Sequence, residues 1–229
     1  MKLKAFLLFF LLSSFSLLQA ADKPLIKIET ERTSLIYQVA DNGRLYQKYL
    51  GKKLNHDSDI QYLPQGTEAY LTHGMEDYFE PAIHIRHNDN NSSLLLKYVD
   101  HSSNAIGNGV NETVITLKDD KYPVTVKLHY VAYGKENIIR AFSEISHEEK
   151  KPVILCKYAS SMLHLNSSKY FLKHFPSLYD KEFLFVSRFC LFHQKHQILH
   201  LLIACTCDHT FLQTNLFLIC HKNSTNQNP

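Results

Sequence analysis

From Leu25 to Leu163 the chain repeatedly alternates apolar and polar residues, the period of a strand with one buried face. Ile26 and Ile28 share one face of the first such run, Leu25 to Glu31. Ser34 to Ala40 and Arg44 to Leu50 predict a hairpin around Asp41-Asn42-Gly43, a turn that supplies the positive backbone angles a tight hairpin needs. Asn55 to Thr72 has mixed polarity with Pro64 and Gly66, and predicts a long loop. Strands resume at Ile83 to Arg86 and at Leu94 to Val99, separated by a turn rich in Asn, Asp and Ser. Asp100 to Asn111, holding Gly107 and Gly109, predicts another loop. Thr113 to Leu117 alternates. After it Val124, Val126, Leu128 and Tyr130 line one face, with Thr125, Lys127 and His129 on the other. Asn137 to Ile145 and Val153 to Leu163 complete the series. No stretch here sustains a helical period, so the pattern predicts an all-β antiparallel sandwich.

The pattern breaks at both ends. Lys2 and Lys4 precede an apolar run from Ala5 to Leu12, and Ser13 to Ala20 forms a more polar exit. This predicts a signal peptide over residues 1–20, with export to the periplasm or the medium. The run is short against the ~20 residues of a membrane span, so no stable membrane anchor is expected. The sandwich is assigned to residues 22–174, and a divergent tail to 175–229. In the tail Phe, Leu, His and Cys crowd together, no Gly occurs, and acidic residues thin to Asp180, Glu182 and Asp208. Three accounts stand: an irregular apolar end that packs against the body, a membrane segment, or translation out of frame. Asp208, His209, Gln213 and Asn215 interrupt any span. The abrupt loss of patterning is the reason to hypothesise a frame change.

Composition narrows the function classes. The formal net charge of +3 over 229 residues is too small and too dispersed for a nucleic-acid partner. Five cysteines, with Cys156 alone in the body, form no readable disulfide framework. The tail spacings His193/His196 and Cys205-x-Cys207-x-His209 match no usual zinc site. There is no Walker loop, dinucleotide fingerprint or nucleophile elbow, and neither metal nor cofactor is expected. Asp119-Asp120 and Glu148-Glu149 read as solvated turns. His73, His84, His87 and His129 read as surface or satisfied sheet positions, and Arg86 and Arg140 as partners in strand-face ion pairs.

One stretch carries a functional signal: Tyr70 to Arg86, Y-L-T-H-G-M-E-D-Y-F-E-P-A-I-H-I-R. It gathers Glu76, Asp77, Tyr78, Phe79 and Glu80 at a loop-to-strand junction. Carboxylates accept hydrogen bonds from sugar hydroxyls, and ring faces cover the apolar side of a pyranose. The spacing G-x-x-D-x-x-E-P-A at Gly74, Asp77, Glu80, Pro81 and Ala82 resembles the amino-terminal domain of glycoside hydrolase family 36, the α-galactosidases. That family carries a loop of the form G-x-G-D-F-R-E-P-A at the matching place. Here Glu76 stands where the family usually has Gly, and Phe79 where it usually has Arg. The hairpin S-L-I-Y-Q-V-A-D-N-G-R-L-Y-Q-K-Y-L-G also resembles the family's opening hairpin, with Tyr37, Leu45, Tyr46 and Tyr49 as packing residues. The resemblance covers roughly Ile26 to His174.

The resemblance implies a large β-sandwich and a substrate-binding role for Asp77 toward terminal galactose. It also implies α-galactoside oligosaccharides, such as raffinose or melibiose, as ligands, and homo-oligomers whose loop can reach a neighbouring active site. Retaining hydrolysis needs two carboxyl groups about 5 to 5.5 Å apart. In the family both are Asp residues of a barrel that follows the sandwich, the nucleophile in a Lys-Trp-Asp segment. This chain has no Trp, and its length leaves no room for a barrel of ~250 residues after the sandwich. The expectation is therefore no catalytic residue here, no turnover by this chain alone, and sheet edges left open by missing strands. The alternative is a free-standing galactoside-binding sandwich.

Overall fold

In the computed structural model, residues 24–75 and 80–164 are described in full, together with the backbone of six short strands between 169 and 219. The first sheet has four antiparallel strands in chain order: β1 (Leu25–Glu29), β2 (Thr33–Val39), β3 (Leu45–Lys52) and β4 (Thr67–Glu68). The second is built on β6 (Leu96–Gly107), β7 (Val110–Asp119), β8 (Val124–Tyr133) and β9 (Ile138–His147), each antiparallel to the next. Its β9 edge is covered by β17 (Leu216–Ile219), so the tail contributes a strand to this sheet. Between the sheets in sequence, β5 (Ile83–Arg86) pairs with β10 (Ile154–Tyr158). Three small pairs involve the later residues: β11 (Leu163–His164) with β14 (Ile198–Leu199), β12 (Lys169–His174) with β13 (Val186–Leu191), and β15 (Thr206–Asp208) with β16 (Phe211–Gln213). A single turn of helix, α1 (Ser58–Gln61), interrupts the long connection before β4.

The alternation seen in the sequence is the alternation of burial. Ile26, Ile28, Leu35 and Tyr37 of the first sheet share one apolar cluster with Ile115, Leu117, Val126, Leu128 and Tyr130 of the second. Each fully buried Leu or Ile there contributes roughly 1.5–3 kcal/mol against solvent exposure. Polar contacts also span the layers. The Tyr37 hydroxyl donates to the Tyr130 hydroxyl at 2.8 Å, with the ring centroids 5.3 Å apart. At one end, Asn137 Oδ1 accepts from Thr30 Oγ1 at 2.6 Å and Thr33 Oγ1 at 2.8 Å, which ties the β8–β9 turn to the β1–β2 turn. Asn137 adopts φ 56°, a left-handed conformation that Asn tolerates better than most residues.

The segment predicted as a loop, Asp100 to Asn111, instead forms the far end of the β6–β7 hairpin, paired as Ser103↔Thr113 and Asn104↔Glu112. The arm projects past the core, and β6 is exposed from Val99 onward. With neither face buried, nothing selects an apolar/polar alternation, so the sequence carries no strand signal. β6 is an edge of its sheet, polar along the arm, which blunts strand-to-strand association. Among the described residues no helix is long and apolar enough to cross a membrane, and no group of three or more His, Cys, Asp or Glu is placed to hold a metal ion. Residues 1–23, the predicted signal peptide among them, lie outside the described residues.

Candidate functional site

The stretch singled out in the sequence forms a loop with a closed neck. On the incoming side Tyr70, Leu71 and Thr72 are buried, and on the outgoing side so are Ala82, Ile83 and Ile85. Leu71 O accepts from Ala82 N at 2.8 Å and from Ile83 N at 3.3 Å. His73 N donates to Ile83 O at 3.0 Å, and Thr72 and Ile83 form a parallel bridge. The chain thus enters and leaves the loop through one set of backbone hydrogen bonds.

The neck is fixed to both neighbours. The Tyr70 hydroxyl donates to Ala159 O at 2.8 Å, and Ser143 Oγ donates to the same carbonyl at 3.1 Å. Burial raises the Tyr70 pKa to about 12, so it stays a neutral donor. Leu94 N donates to His73 O at 3.3 Å, which binds the segment after β5 to the neck. Gly74 explains the first letter of the motif: its φ is +84°, and an added Cβ would lie 3.2 Å from Ser93 Cα.

Two charged or titratable contacts frame the opening. Glu80, exposed, pairs with Lys157 of β10, and burial lowers the Lys157 pKa. The imidazoles of His73 and His84 stack with centroids 3.8 Å apart. Burial first, then the charges of His73 and Arg86, lowers the His84 pKa, which keeps that ring neutral at pH 7. Glu76, Asp77, Tyr78 and Phe79, the predicted ligand among them, lie outside the described residues. What the structure fixes is the pair of ends, residues 70–75 and 80–86, between which Asp77 falls in sequence.

One sequence expectation changes, and the structure adds detail to others. Glu149 is no solvated turn residue: its side chain is 2% exposed, with Oε1 2.6 Å from His87 Nδ1 and Oε2 accepting from Asn88 Nδ2 at 2.6 Å. His87 is buried and stacks on Tyr122 at 3.5 Å. Asp119 accepts from the backbone N–H groups of Lys121 and Tyr122, so it builds the turn before β8. Arg140 lies over the Phe142 ring at 4.9 Å. Tyr37 and Leu45 are core residues as expected, whereas Tyr46 stands on the outward face of β3 beside a surface groove. No sequence period flags Tyr46, because an outward aromatic in an alternating strand looks like any other residue of the polar face.

The comparisons with known proteins agree with this fold. The glycosyl hydrolase family 36 N-terminal domain matches residues 43–188, from the β2–β3 turn to the middle of β13. The chain belongs to that family. An α-galactosidase from Lactobacillus brevis superimposes with a TM-score of 0.61 at 16% identity, over 73% of this chain and 27% of that one. A variant of the family 36 α-galactosidase AgaA from Geobacillus stearothermophilus, in complex with raffinose, gives a TM-score of 0.63 at 17% identity, over 72% of this chain and 28% of that one. AgaB from the same organism gives 0.59 at 20% identity, over 72% and 27%. The chain therefore spans little more than a quarter of the length of these solved relatives. Among curated proteins no match was found.

Proposed function

We propose that this chain is the amino-terminal sandwich of an α-galactosidase and that Asp77 binds the terminal galactose of its substrate. The observation that carries this is the family match over residues 43–188, which includes the whole closed-neck loop. Relatives of the same fold are described in complex with raffinose and with stachyose, both α-galactosides. An aspartate carboxylate can accept two hydroxyl hydrogen bonds, and fixed backbone on either side of a binding segment lowers the cost of ordering it. Retaining hydrolysis needs two carboxyl groups about 5 to 5.5 Å apart, and the part of that activity assigned to residues 1–229 is galactoside binding. Export through residues 1–20 places it outside the cytoplasm.

A second reading, a free-standing galactoside-binding module, is supported by the pairing of β17 with β9, because a strand from the tail then caps one edge of the larger sheet. In either reading the purified chain releases no galactose from raffinose above the uncatalysed rate. Sustained release that scales with protein concentration would overturn the proposal.

A further inference from the structure

The outward face of the four-stranded sheet carries a groove of about 480 Å³ that shares no lining residue with the loop neck. Its walls are the β2–β3 turn on one side and Gln65-Gly66 on the other, with Gln38, Tyr46 and Lys48 on the face between them. Gln38 and Tyr46 are direct cross-strand partners. The volume lies within the range of small-molecule sites.

Both walls are held by contacts within the protein. In the turn, Ala40 N donates to Arg44 O at 3.0 Å, Gly43 N to Ala40 O at 2.9 Å, and Arg44 N to Asn42 Oδ1 at 3.0 Å. Tyr98 N donates to Gly43 O at 2.8 Å, which anchors the turn to β6. On the other side the backbone of Gly66 lies directly against β3: an added Cβ would be 1.5 Å from Gln47 O, so no other residue fits. Just beyond it, Glu68 of β4 accepts from Arg44 Nε at 2.9 Å, both residues being buried. That ion pair joins the two walls.

The lining chemistry selects the ligand class. One carboxylate, Asp41, and one ammonium, Lys48, cancel in formal charge, and Lys48 Nζ already donates to Gln38 Oε1 at 3.0 Å. Three amides, from Gln38, Asn42 and Gln65, offer donors and acceptors together. Tyr46 adds a ring, its hydroxyl held by Asn42 Nδ2 at 2.9 Å. An ion finds no net charge here, and an apolar ligand finds few apolar partners. A neutral polyhydroxylated ring matches amides by its hydroxyls and the Tyr46 face by its C–H groups. We infer that this groove is a second carbohydrate site, one that takes a neutral mono- or oligosaccharide independently of Asp77.

Site-resolved NMR on the full chain tests this. The side-chain amide signals of Gln38, Asn42 and Gln65 are followed during titration with raffinose and, separately, with maltotriose. Saturable shifts of these signals are expected with at least one of the two sugars. Tyr46→Ala should weaken that binding about tenfold, the loss of one ring platform, while Asp77→Ala leaves it within twofold. Gln65 is exposed, so Gln65→Ala keeps the fold and decides the matter should Tyr46→Ala unfold; about a fivefold loss is expected. Amide signals that stay in place with both sugars would overturn the inference. So would shifts that vanish in Asp77→Ala and persist in Gln65→Ala, since binding then belongs to the loop. Loss of the loop site alone would count against the proposed function and leave the groove standing.

Discussion

Replacing Gly74 by alanine separates two costs that the structure assigns to different causes. The first is conformational. Gly74 has φ +84°, where a Cβ costs roughly 1–2 kcal/mol. The second is steric, because the new Cβ would sit 3.1 Å from Ser93 Oγ and 3.2 Å from Ser93 Cα. Ser93 Cα is backbone and gives way poorly, so overpacking adds about 1 kcal/mol. The sum is roughly 2–3 kcal/mol of destabilisation. Gly109 supplies the control: its φ is +76°, yet nothing lies within 4 Å of an added Cβ. Gly109→Ala should therefore show only the conformational part, about 1–2 kcal/mol. Urea unfolding followed by far-UV circular dichroism suits this chain, which has no Trp to report by fluorescence. Gly→Ala at an unstrained position usually stabilises by about 0.4–1 kcal/mol, so even the sign is informative. A Gly74→Ala variant as stable as the parent, or no worse than Gly109→Ala, would refute the closed-neck geometry.

Three further outcomes follow from the packing and from the reading frame. Tyr37→Phe leaves the buried Tyr130 hydroxyl without its donor and should cost about 1–3 kcal/mol, whereas Tyr37→Phe with Tyr130→Phe should cost less than the sum of the singles, as a double-mutant cycle in urea will show. Burial opposes the charge on Glu149, but hydrogen bonds from His87 and the Asn88 N–H outweigh it and hold the carboxyl below its ordinary 4.5. A depressed carboxylate contributes stability above the unfolded pKa and loses it as pH falls through the folded one. Glu149→Gln should therefore flatten the fall in thermal midpoint on acidification below about pH 4.5. Sequencing the gene and the few hundred bases beyond it should reveal another frame that carries a Lys-Trp-Asp barrel strand; an uninterrupted frame with no such strand would leave the free-standing module as the better account.

The sandwich was legible because its core strands bury one face and so alternate strictly. Val124 to Tyr130 shows this: the residues of even number are all buried, and the odd ones only half so. The β6–β7 arm was not legible, since a paired strand exposed on both faces obeys no binary pattern. The interior role of Glu149 was equally hidden. A charged pair at a turn looks solvated until a buried His87, distant in sequence, is brought to it. For the site, the motif spacing located the loop, and its Gly74 and Ala82 ends are explained by φ, by Ser93 and by the hydrogen bonds on Leu71 O. The groove beside Tyr46 could not have been found from the sequence, because its walls come from segments more than twenty positions apart that are brought together by the β3–β4 pairing, the close approach of Gly66 and the Arg44–Glu68 pair.

The central claim is that the closed-neck loop presents Asp77 to galactose. Titrating the chain with methyl α-D-galactoside, with the backbone amides of Gly74 and Glu80 as reporters at the two ends of the loop, tests it most directly. The account predicts saturable shifts at both amides and a loss of affinity of about ten- to a hundredfold in Asp77→Ala, the worth of hydrogen bonds to a charged acceptor. Shifts of equal size and midpoint in the parent and in Asp77→Ala, or no shift in either, would contradict it.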